Sequence, residues 1–203
     1  VPSQFAVLGG TWREFYVTTQ PVSVATAVQI SATYGLITRV LTLTIAPAGT
    51  ATPYSGVPAP IPGVLQAEEF DVGGEGVSYH DTDRGNEGGA FRQTDVDLEN
   101  TSDADGGANV GWISPGEWLD CTVAVASSGT YSVDSRVASP GGGGTYHIEV
   151  DGVDKTGPIV MPDTGAWQSW TTVSGPIVLT AGTHALRVSF DSNGATGVIG
   201  NLN

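Results

Sequence analysis

The chain has 203 residues, with 21 Asp and Glu against 7 Lys and Arg and a formal net charge of −14. That surplus repels polyphosphate and excludes a nucleic-acid surface, and no apolar run reaches the roughly 18 residues that a membrane-spanning helix needs. Hydrophobic residues make up 39% of the chain, enough to fill a core, which excludes wholesale disorder. The sequence opens Val1-Pro2 with neither a charged n-region nor an apolar h-region. It reads as a chain whose leader has been removed, or as an internal piece of something longer.

In chain order, the first signal is alternation. Val28, Ile30, Ala32 and Tyr34 alternate with polar neighbours, and so do Leu41, Leu43 and Ile45. Period 2 puts each set on one face of a strand. Charge then divides the chain. Residues 1–60 carry Arg13, Arg39 and Glu14, a net of +1, whereas residues 61–203 carry 5 basic and 20 acidic side chains, a net of −15. Between the two runs a stretch, residues 47–63, with five prolines. Proline removes backbone donors and favours extended geometry, so this stretch predicts a semi-rigid spacer.

Beyond the spacer the alternation resumes in Cys121/Val123/Val125, Tyr131/Val133/Val137, Tyr146/Ile148/Val150 and Leu186/Val188/Phe190. Gly or Pro interrupts it about every 8–12 residues, as in β-sandwiches. The fold class is therefore all-β. Asp151-Gly152 suits a hairpin turn. Gly141 to Gly144 reads as a flexible loop, and no Lys-Ser/Thr pair follows it to make a phosphate cradle.

Chemistry-bearing residues are sparse. Cys121 is the single cysteine, so no internal disulfide forms, and its alternating setting suggests a small buried hydrophobe. His80, His147 and His184 lie far apart, without metal-ligand spacing. Neither a GxSxG elbow nor an HExxH motif occurs, and no enzyme is expected. In Leu65-Gln66-Ala67-Glu68-Glu69-Phe70, read as a strand, Gln66 and Glu68 share a face. Two oxygen-bearing side chains at that spacing can grip a hard cation such as calcium, although solvated surfaces show the same pattern. Four of the five tryptophans follow the spacer: Trp112, Trp118, Trp167 and Trp170. In a strand, Trp167 and Trp170 point to opposite faces, which leaves one indole for solvent or a ligand. An exposed indole suits a sugar, whose axial C–H groups pack on the flat ring.

Several stretches together resemble one known family. They are Leu65–Asp71, Tyr79–Gly89, Phe91-Arg92, Asp95–Glu99, Asn109–Ile113, Gly116–Leu119, Gly165–Trp170, Ala181–Arg187 and Asn201–Asn203. In that order they are similar to a family 6 carbohydrate-binding module spanning residues 64–203. The resemblance implies a jelly-roll β-sandwich, non-catalytic binding of β-linked polysaccharide, structural Ca2+ and a secreted or cell-surface location. In that family a cleft at one end of the sandwich holds a sugar between two aromatic rings beside an Asn. The resemblance assigns one ring to Trp167 and the Asn to Asn201, or failing that Asn203. It puts the other ring just before Asn109-Val110-Gly111-Trp112, where this chain has Ala108, and leaves Tyr79 or Trp112 to supply the missing face. The metal motif maps to Gln66 and Glu68 with a backbone carbonyl near Arg92. Its remaining ligands come from the end of the domain, where this chain stops at Asn203. The Tyr79–Gly89 segment is similar to members attached to agarases and β-1,3-glucanases.

Residues 1–46 resemble part of an immunoglobulin-like repeat of bacterial surface proteins, through Val17–Ser23, Val28–Tyr34 and Leu41–Ile45. Three or four strands fall short of the ~7 such a domain needs. Such a half-sandwich is a fragment, is covered by the rest of the chain, or is completed by another chain; the last case gives a second role, a subunit of an extracellular fibre completed by strands from other copies of itself.

Overall fold

A computed structural model describes residues 26–34, 37–45, 49–104 and 106–203. The chain divides into two compact units, Val1–Ala48 and Gly49–Asn203. In the first, β1 (Thr26–Tyr34) and β2 (Ile37–Ile45) form an antiparallel hairpin with Val28 opposite Leu43 and Ile30 opposite Leu41. The other face carries Thr33, Thr38, Thr42 and Thr44, and the hydroxyls of Thr33 and Thr38 meet at 2.8 Å. The Val17–Ser23 stretch that suggested an immunoglobulin-like repeat lies outside the described residues.

The second unit is a jelly-roll β-sandwich, and it begins before the end of the anticipated spacer. Thr52 and Val72 exchange backbone hydrogen bonds of 2.9 and 2.8 Å, and β3 (Ala59–Ile61) pairs in parallel with Val123–Val125. The extended geometry that proline imposes is also strand geometry. A proline lacking its N–H is tolerated at a sheet edge, where β3 and Pro60 sit. Residues 49–63 therefore belong to the sandwich.

The strands that follow are β4 (Tyr79–His80), β5 (Leu98–Asn100), β6 (Ala108–Val110), β7 (Trp118–Val125), β8 (Gly129–Ala138), β9 (Thr145–Val150) and β10 (Val153–Asp154). After them come β11 (Ile159–Val160), β12 (Thr171–Leu179), β13 (Gly182–Ser192) and β14 (Asn201–Leu202). One sheet runs β10-β9-β13-β7-β3, with β11 on β9 and β4 on β7; the other runs β12-β8-β14-β6-β5. As expected, β9 turns into β10 through Asp151 and Gly152, at φ 53° and 75°. Both lie in the left-handed region that a tight hairpin turn demands.

Alternation sends Tyr146, Ile148 and Val150 inward from β9, and Leu186 and Phe190 inward from β13. One buried cluster gathers Phe70, Leu98, Tyr146, Met161, Phe190 and Ile199, and a second gathers Val123, Val125, Ile148, Ile177 and Leu179. Each such side chain contributes about 1.5–3 kcal/mol by leaving water. Cys121 packs against both clusters. Burial pushes its thiol up to about 12, so it acts as the hydrophobe its sequence setting suggested.

The glycine run 141–144 differs from its expectation. The N–H of Gly143 donates to Met161 O at 3.0 Å and that of Gly144 to Ile199 O at 2.8 Å. A Cβ on Gly144 would stand 1.7 Å from Ser192 O. These glycines let two backbone segments press together, so the run is a packed crossing.

Loop 75–97 is knitted by acidic side chains that accept from backbone N–H groups. Asp81 accepts from Asp83 at 3.0 Å, Asp95 from Gly85 at 3.0 Å and Asp97 from Glu87 at 2.6 Å. Glu117 accepts from Thr82 at 3.1 Å and from Ser114 at 2.9 Å. Desolvation by burial, aided by repulsion among these carboxylates, pushes Asp81 up to about 7 and Asp97 up to about 6. Both keep a proton in the folded chain where the unfolded chain has released it. Their stabilisation is complete below about pH 4 and is lost as pH rises through the folded values. His184, raised by its bond to Asp151, slopes the same way. The thermal midpoint is therefore expected to fall between about pH 5 and pH 8, and Asp81→Asn should flatten that slope. A wild-type midpoint that is level or rising across this range would contradict the assignment.

Candidate functional site

The site is built where the second sheet reaches the rim. Antiparallel pairing of β5 with β6 sets Glu99 opposite Asn109, and β14 joins β6 and brings Asn201 alongside. Oε1 of Glu99 accepts from the side-chain amides of Asn109 at 3.3 Å, Gln168 at 2.9 Å and Asn201 at 2.9 Å. Asn109 and Asn201 are buried, so these bonds satisfy groups that would otherwise be costly. Gln168 also donates to Asn109 Oδ1 at 2.9 Å, while its own oxygen accepts from Ser102 N at 2.8 Å and Trp170 Nε1 at 3.3 Å.

Gln168 lies in a turn, closed by Ser169 N donating to Ala166 O at 3.2 Å, and not in the strand expected for Trp167–Trp170. The turn lifts Trp167 to the rim, and Asn201 Nδ2 fastens it by donating to Trp167 O at 3.0 Å. On the other side β6 ends at Val110, and Trp112 adopts φ 50°, uncommon for a bulky residue. Trp112 is 52% exposed, and Trp167 is 43% exposed. Both line one cleft of about 440 Å³, together with Glu99, Asn201, Ile113 and Val198.

Of the residues singled out for sugar contact, Trp167, Trp112 and Asn201 come together in this cleft. Tyr79 does not. It is 5% exposed, stacked edge-on against Phe70 at 5.4 Å in the core. Ala108, where the family resemblance placed the second ring, is sealed within β6, and Trp112 presents the second ring instead. Asn203 is engaged elsewhere, donating to Asp103 Oδ2 at 3.2 Å. Glu99 was not anticipated as a site residue, because its partners stand up to 102 positions away in sequence.

The metal candidates are arranged differently from the strand reading. Ala67–Glu69 forms a turn of 3-10 helix. Gln66 lines a small crevice beside Glu69, Asp71 and Cys121. Glu68 turns inward, where Oε1 accepts from Ala108 N at 3.1 Å and the buried Oε2 has no partner. Burial pushes its carboxyl pKa up. Gly107, at φ 85°, passes so close that a Cβ would stand 2.7 Å from Glu68 Oε1. The carbonyl of Arg92 accepts from Asn86 Nδ2 at 3.0 Å. Its guanidinium stacks on Phe70 at 3.7 Å and donates to the carbonyls of Phe70 and Asp71. Among the described residues no three His, Cys, Asp or Glu side chains gather to hold a metal ion.

A jelly-roll sandwich that offers two open indoles over an amide-and-carboxylate floor has the form of a sugar-recognition module. The profile of the family described as carbohydrate binding module (family 6) matches residues 88–203, more than half the chain, and the chain belongs to that family. It is similar to the clotting factor G alpha subunit of Tachypleus tridentatus, with 37% identity over 100 residues, 48% of this chain and 15% of that protein. The chain thus spans a small part of the length of that curated relative. A β-1,3-glucan-binding family 6 module from Bacillus halodurans superposes with a TM-score of 0.54 at 26% identity, covering 72% of this chain and 96% of that one. CsCBM6-3 from Clostridium stercorarium, solved with cellobiose, shares the fold, with a TM-score of 0.52 at 21% identity over 73% of this chain and 94% of its own.

Gln168→Ala strips partners from Asn109, Ser102 and Trp170 without removing a lining residue. It should lower stability by about 2–3 kcal/mol in urea denaturation. A loss under about 0.5 kcal/mol would mean that the clamp does not hold the rim.

Proposed function

We propose that the sandwich is a non-catalytic module that binds a β-linked polysaccharide outside the cell, with pyranose rings resting on Trp112 and Trp167. The observation that carries this reading is the pair of exposed indoles in one cleft, above the polar floor of Glu99 and Asn201. Flat π faces pack on sugar C–H groups while neighbouring polar atoms bond the hydroxyls. Likeness to the β-1,3-glucan-binding module favours a neutral β-glucan among possible ligands. Tyr79 has no part in this reading, because its ring is core.

Affinity electrophoresis against laminarin, xylan, agarose and cellulose tests it. Wild type is expected to be retarded by at least one polymer without releasing reducing sugar. Trp112→Ala or Trp167→Ala should weaken that retention roughly 5- to 150-fold, by analogy with other aromatic stacking. Retention by none of the four, or retention untouched by both substitutions, would refute the assignment of this cleft.

We further propose Ca2+ as a structural cofactor held by Glu68 with Gln66. The fit rests on Glu68 Oε2, a buried carboxylate oxygen without a partner, since calcium takes oxygen ligands in flexible geometry. A calcium ion would supply the positive charge that this oxygen lacks. The backbone carbonyl of Arg92 stays in the proposed set, since it accepts one bond from Asn86 and keeps a second lone pair, while the guanidinium braces the backbone of residues 70–71. A chelator should lower the thermal midpoint, added calcium should restore it, and Glu68→Gln should abolish the response. A wild-type midpoint indifferent to chelator and calcium argues against the metal.

A further inference from the structure

Two further aromatic side chains of the sandwich stand open to water. Tyr54 is 41% exposed and Phe91 is 50% exposed, with ring centroids 5.7 Å apart and planes tilted by 32°. Neither lines the cleft that holds Trp112 and Trp167. Phe91 sits at φ 58° in a three-residue turn where Arg92 N donates to Ala90 O at 2.7 Å, a rare and strained form. Asn86 Nδ2 holds that turn by donating to Ala90 O at 2.9 Å and to Arg92 O at 3.0 Å. Tyr54 is raised by a second turn, closed by Gly56 N donating to Pro53 O at 2.9 Å. The Arg92 guanidinium packs on both the Tyr54 and Phe70 rings, 5.2 and 3.7 Å from their centroids, and so braces Tyr54 from the protein side. A large apolar ring held outward by strained backbone adds little to the core, which points to a ligand.

Resting on the reading that the sandwich binds a polysaccharide, we infer that Tyr54 and Phe91 form a second contact site for that polysaccharide, separate from the cleft. Ser55 and Glu69 border Tyr54 in a shallow crevice of about 40 Å³. Ring faces pack on sugar C–H groups while the hydroxyl and the carboxylate meet sugar hydroxyls. Even with Val57 and Val64 along the same crevice, the patch falls well short of the ~800 Å² that each partner gives to a stable protein interface. A single pyranose needs only one ring face. Tyr54 also lies ahead of residues 88–203, so half of this site comes from a segment outside the family match. A polymer offers many sugar rings, so both sites can be engaged at once, and the second contact then acts at high local concentration.

Affinity electrophoresis of the full chain against laminarin, xylan, agarose and cellulose tests this. Asn tolerates positive φ, so Phe91→Asn removes the ring while suiting the turn. In a polymer that retards wild type, Phe91→Asn and Tyr54→Ala should each weaken retention at least about fivefold. Tyr54→Phe keeps the ring and should stay within about twofold of wild type. Isothermal titration with a trisaccharide of the same linkage should find two sites on wild type and one on Phe91→Asn. Retention and stoichiometry unchanged in Phe91→Asn overturn the inference alone. Self-association in light scattering that Phe91→Asn abolishes, with retention unchanged, assigns the patch to a second copy and equally overturns it. Retention lost in Phe91→Asn but kept in both Trp112→Ala and Trp167→Ala supports this site and removes the cleft reading. Retention of wild type by none of the four polymers takes down both. Should Phe91→Asn melt early, the wild-type stoichiometry decides: two sites support the inference and one overturns it.

Discussion

Side-chain amides from Asn109, Gln168 and Asn201 converge on one oxygen of Glu99, and the placement of both indoles follows from that convergence. Hydrogen bonds to a charged acceptor are stronger than neutral ones, and these close at a rim where regular strand pairing ends. The bond from Asn201 to the Trp167 carbonyl ties the 165–170 turn to β14. Through Asn109 the same network reaches β6, whose end sets the backbone of Trp112. Loss of any one amide leaves other buried polar atoms unpaired, so the network behaves as a unit.

Elsewhere the sandwich solves the same problem by other means. Acidic side chains cap backbone N–H groups in loop 75–97, and Asn86 alone bonds the backbone of Gly89, Ala90, Arg92 and Leu98. The surplus of negative charge is thus partly architectural, because several acids serve as internal acceptors. Arg187 gives the counterexample, gripping Asp120 at 2.7 and 2.9 Å while stacking on Trp118 at 3.6 Å.

Period-2 alternation announced the long strands, because a side chain's face depends only on its parity within the strand. β7, β8, β9 and β13 all stand where that alternation placed them. Short elements were opaque. The 3-10 turn at Ala67–Glu69 has only three residues, too few for any period to show, and reading it as a strand misplaced Glu68. The prolines of residues 47–63 signalled extended backbone but not its partner, since pairing with β7 is fixed some 64 residues further on. At the site, Trp167 and Asn201 were legible through resemblance to a family. Glu99 was not, since a lone acid becomes distinctive only once residues 109, 168 and 201 surround it.

The edge strand β3 carries a consequence for how the molecule behaves in a crowd. The oxygen of Ile61 faces β7, where Ala126 N donates to it at 2.9 Å, so the neighbouring Pro60 turns its backbone outward. An ordinary residue there would offer a dangling N–H to any passing β-segment. Proline has none to give, so this flank of the sheet is blunted against templated stacking into aggregates.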